Sequence, residues 1–121
     1  MSNTKVLYVD DESINLKLFD AVLKRKFEIL TAENGITGLD ILKENSDIQV
    51  VISDMKMPVM NGITFIHQAR EIWPQINYYI LTGFEITDQM QDALDNGVIR
   101  KYFKKPVNLN EISEEIEKMT S

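Results

Sequence analysis

The sequence predicts an α/β fold in which a doubly wound sheet of five parallel strands, in the order 2-1-3-4-5, is covered by five helices. Short apolar runs rich in β-branched and aromatic residues alternate with longer segments of helical periodicity, and this alternation is typical of parallel sheets. The run Val50-Val51-Ile52 is apolar throughout, as in a strand buried on both faces. The 121 residues suffice for one domain, expected over residues 1–121, whereas a closed eight-stranded barrel needs about twice that length.

The first half of the chain contains three predicted strands and two predicted helices. The strands cover Lys5–Asp10, Phe27–Ala32 and Ile48–Asp54. The first helix shows one apolar stripe, two flanking apolar residues, and cations in its last turn, where they suit the helix dipole: Ile14, Leu18 and Val22; Phe19 and Leu23; Lys24, Arg25 and Lys26. The second helix is capped by Asn34, runs to about Asn45, and has four apolar positions: Ile36, Leu39, Ile41 and Leu42.

The second half continues the alternation with three helices and two strands. Pro58 and Asn61-Gly62 predict a loop after the third strand, and the helix carrying Phe65, Ile66 and Ala69 runs to about Trp73 before Pro74 stops it. A fourth strand covers Asn77–Thr82, and a fifth covers Lys101–Phe103. Between them, residues 86–96 form a helix ended by Gly97 as a left-handed cap, with Ile86, Met90, Ala93 and Leu94 facing inward. The last helix starts near Asn108 and presents Leu109, Ile112, Ile116 and Met119.

Composition excludes several classes of function. The net charge of −6 argues against a nucleic-acid surface, which needs clustered Lys and Arg. The absence of cysteine excludes disulfides and thiolate metal sites and favours a reducing cytoplasm. No apolar run approaches the ~20 residues of a membrane helix, and the N-terminus lacks the apolar core of a signal peptide. We therefore expect one cytoplasmic domain without a membrane or nucleic-acid partner.

Polar side chains follow four of the predicted strands. A parallel sheet brings these strand ends to one edge, where open α/β sheets bind ligands: Asp10 and Asp11, Asp54, Thr82, and Lys105. Carboxylates this close repel one another, and Mg²⁺ resolves the conflict while leaving coordination positions for phosphate oxygens. A hydroxyl and an ammonium beside the metal suit a phosphoryl group in transfer, with Asp54 as the nucleophile.

Each of these residues also has an ordinary structural interpretation. The acids Asp10, Asp11 and Glu12 could cap the first helix, and Asp54 could form an Asx turn. Thr82 could be an ordinary strand exit, and Lys105 a solvated surface residue. All of these interpretations would have to hold together at one edge by coincidence, and the sequence therefore favours a phosphoryl-transfer site.

The motifs at these strand ends resemble those of the receiver domains of two-component response regulators, which have a flavodoxin-like (CheY-like) fold. The resemblance covers essentially the whole chain and rests on four motifs in the expected order: Asp10-Asp11-Glu12, Asp54-Met55-Lys56-Met57-Pro58 with Asn61-Gly62, Leu81-Thr82-Gly83, and Lys105-Pro106. It implies a signalling module, a phosphoprotein rather than a conventional enzyme, which catalyses only its own aspartyl phosphorylation and dephosphorylation with Mg²⁺.

The resemblance also implies individual roles. Asp54 would be the phosphoacceptor and a metal ligand, Asp11 a direct Mg²⁺ ligand, and Asp10 a ligand acting mostly through water, with the backbone carbonyl of Lys56 completing the protein ligands. Thr82 would be the switch hydroxyl and Tyr102 the aromatic switch residue. Lys105 would pair with the phosphoryl group; Lys104 is a rival, but the family's lysine directly precedes the proline. Lys56 and Phe84 occupy positions that tune the phosphoryl lifetime, and a bulky Phe84 predicts a state that is not especially short-lived.

The partners implied are a sensor histidine kinase and an unknown downstream protein or output domain. The responding surface would comprise the fourth helix, fifth strand and fifth helix. Charged residues there leave a homodimer open, but exposed pairs contribute only ~0.2–1 kcal/mol each: Asp92, Asp95, Arg100 and Lys101. One alternative is a pseudo-receiver that binds partners without phosphorylation. Another is a phosphatase of the haloacid dehalogenase type, against which Glu12 stands where that family has a second Asp.

Overall fold

The computed structural model describes residues 4–83 and 85–120 as a three-layer α/β fold. Strands and helices alternate along the chain: β1 Lys5–Val9, α1 Ser13–Leu23, β2 Glu28–Ala32, α2 Gly35–Glu44, β3 Val50–Asp54, α3 Gly62–Ile72, β4 Asn77–Thr82, α4 Asp88–Asp95, β5 Lys101–Lys104 and α5 Leu109–Thr120. The five strands are parallel and lie in the order β2-β1-β3-β4-β5, which confirms the predicted fold class. Among the described residues, no helix is long and apolar enough to span a bilayer.

The sheet separates two hydrophobic clusters. One contains residues of α2, α3 and α4, including Leu42, Phe65 and Met90. The other contains residues of α1 and α5, including Phe19 and Ile112. All five residues of β3 are buried, which places this strand at the centre of the molecule and confirms the interpretation of its apolar run.

Side-chain caps fix where four helices begin. Asn34 accepts a hydrogen bond from the backbone N–H of Thr37 at α2, as predicted. Asn61 and Thr87 cap α3 and α4 in the same way, and Asn108 accepts from the backbone N–H of Glu111 in the first turn of α5. Because Asn61 is a cap, α3 begins directly at the Asn-Gly pair, where the sequence predicted a loop.

The apolar stripe predicted for α1 does not face the core. The structure exposes the stripe Ile14, Leu18 and Val22 (72%, 55% and 46%) and buries the flanking residues Phe19 and Leu23. Apolar residues cover more than half of the circumference of this helix, so periodicity alone does not say which part faces the sheet. The stacking of Phe19 on Tyr8 of β1, with ring centroids 4.2 Å apart, accompanies the observed orientation.

Two smaller expectations about the first two helices are also wrong. The last turn of α1 contains no cation, because the helix ends at Leu23 and Lys24 is its C-cap. On α2, Ile36 is 58% exposed rather than part of the core. It lies in the first turn of the helix and lines a surface cavity together with Val59 and Met60.

Candidate functional site

Four strands deliver polar residues to one edge of the sheet. Asp10 directly follows β1, Asp54 ends β3, Thr82 ends β4, and Lys105 directly follows β5. Since β1, β3, β4 and β5 are consecutive neighbours in the sheet, these residues meet as the sequence predicts.

The three aspartates form a compact cluster. Asp10, Asp11 and Asp54 each offer one carboxylate oxygen, and these oxygens all lie within 4.8 Å of one another. Asp10 and Asp54 are buried, whereas Asp11 is exposed and open to a ligand from solvent. Opposite ligands of an octahedral Mg²⁺ lie about 4.2 Å apart, so a small contraction of this cluster would suit the ion. The donor set, made of oxygen alone, also fits a hard divalent cation.

Lys105 forms an ion pair with the central aspartate. Its Nζ lies 3.1 Å from Oδ1 of Asp54, and the carboxylate side chain is only 5% exposed. The neighbouring Lys104 is exposed at the end of β5. The structure therefore brings Lys105 into contact with Asp54, as the prediction for this lysine requires.

The surroundings of Asp54 shift its acidity in opposite directions. Burial raises the pKa of Asp54, the hydrogen bond from Lys105 lowers it, and the charges of Asp10 and Asp11 raise it further; the net pKa is raised. Burial alone would lower the pKa of Lys105, but its contact with Asp54 and the field of Asp10 and Glu12 raise the net pKa. The lysine is thus held as a cation, while the metal-free site disfavours the charged form of Asp54.

Thr82 and Lys105 are joined through the backbone. The N–H of Lys105 donates to the carbonyl of Thr82 at 2.8 Å, and the Thr82 side chain is buried. Tyr102 is half-buried and packs against the cluster that contains α4 residues. It pairs with Ile80 in the β4–β5 register, so it lies two residues before the edge and not in the cleft itself.

A cleft of about 570 Å³ opens beside the aspartates. Its lining joins the predicted site to the loop after β3: Asp11, Glu12, Asp54, Lys56, Met57, Pro58, Gly83 and Lys105. Lys56 is exposed at this cleft, consistent with a carbonyl and a cation close to Asp54. The predicted role of Phe84 falls on a residue outside those that the structure describes.

Close packing and a rare backbone conformation shape this loop. Gly62 begins α3 so close to β3 that a Cβ atom there would lie 2.4 Å from the carbonyl oxygen of Asp54. Val59 has a φ of 70° although it is β-branched, and its side chain is 97% exposed. Such conformations cost about 1–3 kcal/mol and concentrate at functional sites.

The ordinary interpretation of the acids as helix caps is not supported. Glu12 occupies the N-cap position of α1, but its side chain makes no capping hydrogen bond. Instead, Oδ1 of Asp10 accepts from the backbone N–H of Glu12 at 2.9 Å.

Sequence reasoning missed two residues at this site. The hydroxyl of Tyr8 donates to Oδ2 of Asp10 at 2.6 Å, and Nδ2 of Asn15 donates to the same oxygen at 3.1 Å. Tyr8 could have been found from the alternation of strand side chains, because residues two apart on a strand share a face.

Comparisons with known proteins agree with the fold and with the arrangement of residues at this edge. The model of the response regulator receiver domain family matches residues 6–117. Sporulation initiation phosphotransferase F of Bacillus subtilis is 33% identical over 120 residues, covering 98% of this chain and 94% of that protein. A receiver domain protein of Clostridium thermocellum superposes with a TM-score of 0.88 at 36% identity, covering 95% of this chain and 92% of that one. The receiver domain of Saccharomyces cerevisiae Ssk1, solved with the histidine phosphotransfer protein Ypd1, gives a TM-score of 0.81 at 27% identity and covers 94% and 86% of the two chains.

Proposed function

This chain belongs to the response regulator receiver domain family, and from that premise we propose that Asp54 accepts a phosphoryl group from a phosphohistidine. One observation carries the assignment to Asp54. Its carboxylate is the only one of the three clustered aspartates within ion-pair distance of a described lysine, with Lys105 Nζ at 3.1 Å. The nucleophile and the cation that would bind its product are therefore already side by side.

In the proposed transfer, a carboxylate oxygen of Asp54 attacks phosphorus, and the bond from phosphorus to the donor nitrogen breaks. The imidazole leaves with the bonding electron pair and takes up a proton. Lys105 would follow the phosphoryl oxygens, and Thr82 would donate its hydroxyl to one of them. Mg²⁺, held by Asp11, Asp54 and the carbonyl of Lys56, with Asp10 beside it, would neutralise the charge that accumulates on these oxygens.

The environment of buried Asp54 gives a bound metal ion a role in this chemistry. Its raised pKa reflects a carboxylate deprived of solvent and crowded by two others. A divalent cation reverses that imbalance, because opposite charge favours the ionised form. We therefore propose that a bound metal ion would favour the ionised, nucleophilic form of Asp54.

Phosphorylation would be read out across β4 and β5. We propose that Thr82 moves toward the phosphoryl group and that Tyr102, which packs against the cluster that contains α4 residues, follows it. The backbone hydrogen bond from Lys105 to Thr82 supports such coupling, because it ties the end of β4 to the segment that follows β5. The downstream partner would bind the surface of α4, β5 and α5.

The exposed face of α1 supports a docking surface for the protein that donates the phosphoryl group. Ile14 lies three residues after Asp11, and Leu18 continues the apolar stripe away from the site. A protein delivering a phosphohistidine to Asp54 has to cover this region. A solved complex of a histidine phosphotransfer protein with a related receiver domain is consistent with such a donor.

Intact-mass spectrometry tests the phosphoacceptor. Wild-type protein incubated with Mg²⁺ and acetyl phosphate should gain one phosphoryl group, and Asp54→Asn should gain none. Asp40→Asn changes an exposed aspartate on α2 and serves as the matched control. An unlabelled wild type, with acetyl phosphate and with a phosphorylated donor protein, would favour a pseudo-receiver. Steady turnover of a phosphomonoester would favour a phosphatase.

A second experiment separates docking from chemistry. Leu18→Ala should slow transfer from a phosphorylated histidine phosphotransfer protein but leave labelling by acetyl phosphate unchanged. Ile72→Ala removes a side chain of similar exposure, 59% against 55%, from α3 on the other side of the sheet. Equal transfer rates for these two variants would exclude α1 as the docking surface.

A single receiver domain over residues 1–121 is consistent with the match to residues 6–117. Its cytoplasmic location, a sensor histidine kinase as its partner and a possible homodimer stay predictions.

A further inference from the structure

Tyr8 connects the hydrophobic layer under α1 to the acid cluster. Its ring is 1% exposed and stacks on Phe19 at an interplanar angle of 14°. Its hydroxyl ends at Oδ2 of Asp10, 2.6 Å away. Packing thus fixes the phenol ring, and the ring fixes the direction from which Asp10 receives its hydrogen bond.

Asp10 is held from both sides by donors that carry no charge. Oδ2 accepts from Tyr8 and from Nδ2 of Asn15, and Oδ1 accepts from the backbone N–H of Glu12. Among the described residues, none forms an ion pair with Asp10, unlike Asp54 with Lys105. A buried carboxylate with three hydrogen bonds has little freedom to rotate, so its orientation is set before any ligand arrives.

We infer that Tyr8, assisted by Asn15, is a positioning residue that sets the affinity of the acid cluster for Mg²⁺ by fixing Asp10. This inference rests on the proposed function, because it requires the cluster to bind the ion. Residues that hydrogen-bond to the groups around a metal typically change its affinity 10–100-fold when they are removed. Tyr8 and Asn15 share one oxygen of Asp10, so each removal should have an effect near the lower end of that range.

A second tyrosine provides the matched control. Tyr79 is also fully buried, and its hydroxyl donates to Oε2 of Glu115 at 2.9 Å. It faces the same layer as Tyr8 but contacts no aspartate of the cluster. Removing either hydroxyl deletes one hydrogen bond to a carboxylate, and both changes should cost similar stability.

The test is the Mg²⁺ dissociation constant of the full chain, measured by following backbone amide NMR shifts during a titration at constant ionic strength. Tyr8→Phe should raise this constant about tenfold. Tyr79→Phe should leave it within about twofold of wild type, since it touches no group around the ion. A Tyr8→Phe protein that is folded and binds Mg²⁺ like Tyr79→Phe overturns the inference, because the phenol would then serve only to satisfy a buried carboxylate.

Asn15→Ala keeps the test decisive if Tyr8→Phe does not fold. Asn15 is only half-buried on α1, and its removal should also weaken Mg²⁺ binding several-fold. Unchanged affinity in that variant would overturn the inference. Failure of the wild type to bind Mg²⁺ would instead contradict the proposed function itself, and labelling of Asp54 by acetyl phosphate measures that separately.

Discussion

Mg²⁺ should stabilise this protein by an amount that can be worked out in advance. One carboxylate oxygen from each of Asp10, Asp11 and Asp54 lies within 4.8 Å of the other two, and Lys105 pairs with Asp54. The metal-free fold therefore contains an electrostatic conflict that the unfolded chain escapes. A ligand that binds only the folded state adds RT ln(1 + [L]/Kd), or about 2.7 kcal/mol at a free concentration of about 100 times Kd.

Converted to temperature, this stabilisation is easily measured. An unfolding entropy of about 2.1 cal/mol/K per residue gives about 0.25 kcal/mol/K for 121 residues. The midpoint Tm should thus rise by about 10 °C at about 100 times Kd, and by about 5 °C for each tenfold increase in Mg²⁺ above Kd. Differential scanning calorimetry over a Mg²⁺ series at constant ionic strength measures both values.

Two variants decide whether the effect belongs to the cluster. Asp11→Asn removes an exposed carboxylate that has no described ion-pair partner, so the fold survives while the rise of Tm should begin at a higher Mg²⁺ concentration than in wild type. Asp40→Asn, on the exposed side of α2, should leave that concentration unchanged. If Tm rises over the same Mg²⁺ range in Asp11→Asn and in wild type, Mg²⁺ acts elsewhere on this acidic chain and the reasoning is refuted.

Three further changes should alter stability in directions that the geometry fixes. The pKa of Asp54 is raised above its ordinary 3.8, so the folded metal-free state binds more protons than the unfolded state as pH rises from that value through the raised pKa. The free energy of unfolding therefore falls as pH rises across this window, and Asp54→Asn should abolish that fall in urea titrations without Mg²⁺. A fall that persists in Asp54→Asn would refute the assignment to Asp54. Val59→Gly should stabilise the protein by up to about 1 kcal/mol, because a φ of 70° costs valine more than glycine loses in entropy; lower stability would contradict this. Gly62→Ala should destabilise by about 1–3 kcal/mol, since its Cβ would lie 2.4 Å from a backbone oxygen, whereas Gly83→Ala, with nothing closer than 3.4 Å, should change stability little; equal losses would contradict the packing argument.

The sequence predicts the part of this molecule that depends on strand order. Once the alternation of strands and helices specifies a parallel sheet, the edge that gathers Asp54, Thr82 and Lys105 follows from topology. No contact between these side chains had to be known in advance. The contact of Lys105 with Asp54 also agrees with the resemblance, in which the family's lysine directly precedes the proline.

The features that depend on a choice between two alternative packings were not predictable from the sequence. The apolar arc of α1 is wide enough to bury either Leu18 or Phe19, and stacking against Tyr8 favours the second. The contact from Tyr8 to Asp10 required that rotation to be known. The positive φ of Val59 occurs in a loop between the buried Asp54 and the capped start of α3. No local sequence pattern predicts this backbone conformation.

The charge of the site links its chemistry to its readout. Three carboxylates and one ammonium leave a formal charge of −2, which a divalent cation cancels. A phosphoryl group on Asp54 replaces one carboxylate charge with a charge of about −1.5 to −2. The site would then carry excess negative charge again although the metal is still bound. We propose that Lys105 and Thr82 respond to this excess, because they lie at the ends of adjacent strands and share a backbone hydrogen bond. Tyr102 lies on β5 beside them, so the same electrostatic imbalance that Mg²⁺ removes at rest would drive the change that a partner detects at α4 and β5.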